Sequence, residues 1–300
     1  MGNRSSLLIY ISVSVAVTLW GLSFIWTNFL LVNNIPVFTL IFLRLALAGI
    51  ILLIISLSLR KLQRISGGDW PAFLLLVLME PFLYFIGETF GLQIVNSATI
   101  GAVIISTIPI FATIAGILFY KEYISTLNIF GVFLTIPGVL LVVFEKGNLD
   151  FSHYMGILVL FLAVFSAVAY SVIVKKLAGK YNSYTIVTYQ HSLGALFFLP
   201  LFLIFNYKTF SISDITLRIF VPLFGLALLC SSLAFILFIN SVRFLGVAKS
   251  SIFTALVPAV SASAAYLLGS EDMSFRKMAG VIIVIAGVII AQRKKRVSSS

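Results

Sequence analysis

The sequence predicts an all-α, polytopic membrane protein with ten transmembrane helices in two inverted five-helix repeats. Three observations carry that prediction. Hydrophobic residues make up 61% of the chain and charged ones only 10%, at a mean hydropathy of +1.17, which leaves too little polar surface to coat a soluble particle of 300 residues. Polar breaks divide the chain into ten apolar runs, most of them near the roughly 20 residues needed to cross about 30 Å of hydrocarbon. Finally, the stretch Ser97 to Lys146 recurs 149 positions later. Pro109 falls on Pro258, Glu122 on Glu271, Gly131 on Gly280 and Gly138 on Gly287 without a gap, so each copy is a helical hairpin in a repeat of half the chain.

The runs span 7–31, 36–59, 70–91, 97–120, 125–144, 154–174, 184–205, 215–240, 246–269 and 275–292, divided between a first five-helix repeat over 1–146 and a second over 147–300. The first run is too long for the apolar core of a signal peptide and no small-residue cleavage site follows it, so it is read as a retained helix. Asn33 and Asn34 precede Pro36 in a tight turn, the basic segment Arg60 to Asp69 joins runs two and three, and Glu145 to His153 joins the halves. Counting Lys and Arg on the two sides gives fourteen against five, with Arg44 inside a helix. The positive-inside rule then sets both termini in the cytoplasm of a plasma-membrane protein. Because each half holds an odd number of spans, the second must cross in the opposite sense to the first. Trp20 and Gly21 fall on Ala169 and Tyr170 at the same offset, and a three-residue change of offset pairs Arg44, Leu47 and Ala48 with Gln190, Leu193 and Gly194.

The net charge of +11 sits in short loops and the tail, where it orients helices, and implies no nucleic-acid partner. Cys230 is the only cysteine and lies in an apolar run, so no disulfide framework or thiolate metal cluster forms within the chain. No phosphate-binding Gly-x-x-x-x-Gly-Lys-[Ser/Thr] loop, His-Glu-x-x-His or Gly-x-Ser-x-Gly occurs. The chain is accordingly read as neither an ATP-driven pump nor an enzyme, with no cofactor and no metal.

Trp20 with Gly21, Arg44 near the start of the second helix, and the doubled pattern Pro109…Glu122…Gly131…Gly138 and Pro258…Glu271…Gly280…Gly287 resemble the drug/metabolite transporter superfamily in its ten-helix EamA-type branch. The resemblance covers nearly the whole chain and implies inverted halves around a central substrate cavity, with small metabolites moved, often outward. The third helix, carrying Glu80-Pro81 and Glu88, departs from that family's mostly apolar third helix.

Ionisable groups at membrane depth are costly, about 2.5–3.5 kcal/mol on insertion scales, and therefore face a cavity or a partner. Measured from Pro36 and Gly91, Arg44 and Glu80 lie roughly 12 and 16 Å deep, close enough in level to pair across helices two and three. Glu80 is read as lining the substrate path, where it meets a cationic group or takes up a proton; Pro81 beside it removes a helical amide. Glu80, Tyr84 and Glu88 share one helix face, and Glu88 is expected at a solvated outer mouth. Trp20, Tyr84, Tyr170 and Tyr266 lie inside helices rather than at the interfaces, and Gln190 and His191 stand together in helix seven, so with Arg44 and Glu80 they form the predicted substrate-binding set. Pro109 and Pro258 are predicted hinges, Glu122 and Glu271 helix-end hydrogen-bonding groups, and the two glycine pairs close-packing or dimerisation stripes. The function expected is a secondary transporter, an exporter of amino acids or related small metabolites working by alternating access, with membrane lipid around it, a proton as coupling partner and the chain as a monomer or homodimer. A lipid or lipid-linked-sugar flippase and a channel-like facilitator are the alternatives.

Overall fold

In the computed structural model, which describes residues 3–123, 125–143, 151–208, 210–211, 215–270 and 272–291, ten helices run through the described residues. They are α1 Asn3–Val32, α2 Val37–Ser58, α3 Gly67–Val95, α4 Ala98–Tyr120, α5 Thr126–Val143, α6 Phe151–Ala178, α7 Ser183–Phe205, α8 Leu217–Leu245, α9 Val247–Leu267 and α10 Phe275–Ala291. Eight of the described helices are long and apolar enough to cross a membrane, and α5 and α10 are shorter apolar helices. Starts and stops follow local chemistry. Pro36 leads into α2, the Ser97 hydroxyl accepts from the amide of Ile100 (3.2 Å), and the Asn182 side chain accepts from the amide of Thr185 (2.8 Å), supplying partners to orphan donors of the first turns. Large apolar side chains such as Leu118, Ile204, Leu217 and Leu267 stay exposed on the outside, as a lipid-facing belt requires. Glu271, the linker 144–150 and the basic tail lie outside the described residues.

Helix packing displays the inverted repeat directly. α2 packs on α7, α4 on α9 and α5 on α10, each helix against its own counterpart, while α1 packs on α8 and α3 on α6 as a reciprocal pair. That pattern is what a pseudo-two-fold axis in the membrane plane generates. The register agrees: α4 and α9 start 149 residues apart, α2 and α7 146, and α3 and α8 correspond at both ends with a shift of 150. The three-residue change of offset that pairs Arg44 with Gln190 is therefore real.

The glycine stripes settle on packing within the chain rather than dimerisation. A Cβ on Gly131 would collide with the backbone of Ala291, one on Gly138 would lie 2.7 Å from the carbonyl oxygen of Gly280, and one on Gly287 equally close to that of Gly131. Backbones of α5 and α10 thus touch across the two halves, and the Asn128 side-chain amide donates to the carbonyl of Ala291. At the face where α1 begins, the halves are also strapped together by loops. Asn182 donates its backbone amide to Gln63 (2.8 Å) and its side-chain amide to the Lys61 carbonyl (2.7 Å), and the Ser66 amide donates to the Tyr181 hydroxyl (3.0 Å). Lys180 there meets Asp69 at 2.7 Å, which raises the lysine's pKa through their hydrogen bond, but an exposed ion pair of this kind contributes little.

Backbone contact between α5 and α10 leaves no room for a side chain on either stripe. Replacing Gly131 by Leu forces α5 off α10 and should destabilise the fold by about 1–3 kcal/mol, as overpacking does. Thermal unfolding of the detergent-solubilised protein checks this, with Ile129→Ala, an exposed position on the same helix, as the near-neutral comparison.

Candidate functional site

The third helix of each repeat is interrupted at the same depth. α3 unwinds into a wide π turn over Leu78–Leu83, where Glu80 has φ −146° and ψ 114°, and α8 does so over Leu226–Leu233. Pro81 has no amide to continue the helix, so the turn around Glu80 is pushed out of register. α4 and α9 are interrupted as well: α4 divides at Ser106 and Thr107, α9 tightens to a 3₁₀ turn over Phe253–Leu256, and Pro109 and Pro258 stand near the start of the segments that follow. Hydroxyls meet carbonyls of the preceding turns, Ser106 donating to Val103 (2.6 Å), Thr107 to Ile104 (2.7 Å) and Thr254 to Ser251 (2.7 Å).

These interruptions surround a central cavity of about 40 Å³, walled by both halves. Trp20, Arg44, Glu80, Tyr84, Glu88 and Tyr170 line it, together with Ser23, Ser171, Thr254, Phe85, Phe235 and Phe238. Five of the eight predicted binding residues, Trp20, Arg44, Glu80, Tyr84 and Tyr170, therefore meet at one place. Trp20 donates its indole N–H to the carbonyl of Cys230 (3.2 Å), an acceptor in the unwound turn of α8, and packs edge-on to Phe235.

Arg44 is fully enclosed yet well compensated. Its Nε donates to Ser231 Oγ at 2.7 Å, an Nη lies 3.9 Å from a Glu88 carboxylate oxygen, and its guanidinium carbon sits 4.3 Å from the Phe85 ring centroid. Its carboxylate partner is thus Glu88, not Glu80. Glu88 is also not at a solvated mouth: it is 3% exposed and accepts from the Tyr84 hydroxyl at 3.3 Å. The reason is the helix end. α3 continues past Gly91 to Val95, because Gly87 and Gly91 are the residues that seat α3 on α6, with a Cβ on Gly87 falling 2.7 Å from the Ala163 amide nitrogen. Gly91 is a contact, not a terminus, and Glu88 lies two turns inside.

Glu80 is the exception. It is 5% exposed, lines the cavity within electrostatic reach of Arg44 and Glu88, and among the described residues has no hydrogen bond or ion pair of its own. Gln190 and His191 sit behind the wall rather than on it: Gln190 accepts from the Tyr170 hydroxyl (3.2 Å), and His191 Nδ1 bonds the Val187 carbonyl (3.1 Å). Tyr266 lies apart from the cavity, 58% exposed. Nine residues after the lining Val257, it is half a revolution round the helix and faces outward. Ser231 was missed by sequence reasoning, although a Ser231-Ser232 pair inside an apolar run signals a buried polar partner. Among the described residues no group of His, Cys, Asp and Glu is placed to hold a metal.

Arg44 and Glu88 make a two-part prediction. Arg44→Met leaves the Glu88 carboxylate buried without its cation and should cost about 3–5 kcal/mol, whereas Arg44→Met with Glu88→Leu should recover most of it. Thermal unfolding of both variants in detergent measures the difference.

The comparisons with known proteins point the same way. Two transporters without assigned substrate resemble the chain end to end: one from Archaeoglobus fulgidus is 27% identical over 98% of this chain and 99% of its own, and Bacillus subtilis YdfC is 27% identical over 97% and 93%. A solved crystal structure superposes with a TM-score of 0.74 at 15% identity, covering 97% of each chain, which shows a shared fold. The model of the EamA-like transporter family matches twice, over residues 7–144 and 154–292, one match for each half. With nearly all of its length matched in this way, the chain belongs to the EamA-like transporter family.

Proposed function

We propose that the protein is a secondary transporter that exports amino acids or closely related small metabolites across the plasma membrane by alternating access, in exchange for a proton. The observation that carries this reading is Glu80, the one cavity-lining ionisable group without a hydrogen bond or ion pair among the described residues. Burial of an unpaired carboxylate is unfavourable in its charged form, so the group takes either a cation or a proton. An ammonium group and a proton compete for the same oxygens. Mutual exclusion of that kind is the requirement for exchange, since each passage through the closed state carries one occupant or the other. Arg44, already paired with Glu88, also lines the cavity and offers donors for a carboxylate. A cavity of about 40 Å³ is too small for an amino acid, which supports the contracted state of a carrier over a continuous pore.

The fourteen-to-five bias of basic residues supports assigning the strapped face to the cytoplasm. On that assignment, a vestibule of about 970 Å³ between the ends of α1, α3, α8 and α9 opens outside, lined by Asn28, Asn96, Arg218 and Ser270 among others.

The reading is tested with purified protein in proteoliposomes. A panel of labelled amino acids should show saturable uptake and counterflow, accelerated by a proton gradient of opposite direction. Glu80→Gln should lower proton-driven uptake at least about tenfold, the scale of a lost charged contact, and flatten its pH profile while the protein stays folded. Unchanged transport with an unchanged pH profile in Glu80→Gln would remove this residue, and the exchange mechanism with it.

A further inference from the structure

Outside the cavity, one carboxylate bridges the two repeats through both of its oxygens. Glu122, in the turn after α4, accepts from the backbone amides of Val247 (2.8 Å) and Ala248 (2.9 Å) at the start of α9. The seat is built for it. Gly246 has φ +92°, a conformation that suits glycine, and a Cβ there would lie 2.5 Å from one Glu122 oxygen. On α4 itself, a Cβ on Gly116 would lie 2.8 Å from the other. Two glycines from different halves thus clear the space that the carboxylate occupies.

The place of this contact gives it meaning. α4 and α9 face one another along a seam whose inner end, at Ile108, Thr254 and Val257, is the cavity wall, and whose outer end is the Glu122 seat. From Ile108 to Gly116 is roughly 12 Å along the helix. Between those ends, on the same two helices, the hydroxyls of Thr113 and Ser251 are buried without a hydrogen-bond partner. Buried hydroxyls left unpaired are unfavourable, and they gain partners once water enters. At the opposite face, the corresponding ends of α4 and α9, at Asn96, Ala98, Leu268 and Ser270, border the wide vestibule.

We propose that Glu122 is an inter-repeat latch: its bond to the start of α9 keeps the α4–α9 seam shut at the face where α1 begins, and its release opens a hydroxyl-lined passage from that face to the central cavity. The proposal rests on the alternating-access reading for its purpose, but its test needs no substrate. Ser251→Cys places a thiol on the α4 side of α9, about 60° round the helix from Ala248, which meets Gly116, and the reaction of the full-length, detergent-solubilised protein with a polar maleimide reads how often the seam opens; the chain with only its native, buried Cys230 gives the background. Adding Glu122→Ala should raise the reaction rate of the introduced thiol about tenfold or more, the scale of a lost charge-assisted hydrogen bond. Gly116→Ala, which keeps the carboxylate but displaces its flexible end, should raise it in the same direction and serves if Glu122→Ala does not fold. An unchanged rate in a folded variant overturns the latch even if Glu80-dependent transport is found. A raised rate supports it even if that transport reading fails.

Discussion

Everything in this structure answers to the difficulty of holding charge in the middle of a membrane. Arg44 is tolerated there because three different groups attend to it: a carboxylate at 3.9 Å, a hydroxyl at 2.7 Å and an aromatic face at 4.3 Å. Those attendants come from both halves, Glu88 and Phe85 from α3 and Ser231 from the unwound turn of α8. Within the first half, α2 and α3 cannot separate far without leaving the guanidinium and the Glu88 carboxylate uncompensated. One enclosed cation therefore ties α2 to α3 and, through the Ser231 hydroxyl, meets α8 across the cavity they share.

The interruptions of α3, α4, α8 and α9 follow from the same constraint. A straight apolar helix satisfies all its backbone internally and has nothing polar to offer a passing solute. By unwinding at one level, these helices bring free carbonyls inward, and the sequence places groups beside them that use what is freed: Trp20 takes the Cys230 carbonyl, and Ser106, Thr107 and Thr254 turn their hydroxyls back on the chain. The breaks are tolerated because protein, not lipid, surrounds them.

Much of this was legible in the sequence, for a physical reason. Repeats that pack on one another through the same seam must keep the same small residues and prolines at the same spacing, so Gly131, Gly138, Gly280 and Gly287 with Pro109 and Pro258 spelled out the doubled hairpin, and the odd number of spans in each half gave its inversion. What could not be read was whether a glycine ends a helix or lets another helix approach. Gly91 looks like a terminus and is a contact, and that one ambiguity moved Glu88 to the surface and gave Arg44 the wrong partner. Tyr266 failed differently: a position inside a helix fixes depth but not direction, and nine residues beyond Val257 turn the helix face from the cavity to the outside.

The two halves share a fold without sharing a chemistry. With the offsets that the helix ends establish, Arg44, Glu80 and Glu88 correspond to Gln190, Cys230 and Phe238, all buried and all uncharged. The first repeat carries every full charge of the cavity wall; of the three counterparts in the second, Phe238 lines the wall, while Gln190 and Cys230 lie outside its lining. A symmetric charge set would place two guanidinium groups and four carboxylates around a space of about 40 Å³, where like charges repel strongly at low dielectric. Charging one repeat alone avoids that repulsion while leaving the backbone symmetric. On the alternating-access reading, the backbone symmetry would give the halves two equivalent ways to meet, at one face or the other. On the exchange reading proposed above, the asymmetric charges let a single carboxylate, rather than a pair competing across the axis, decide what the cavity holds.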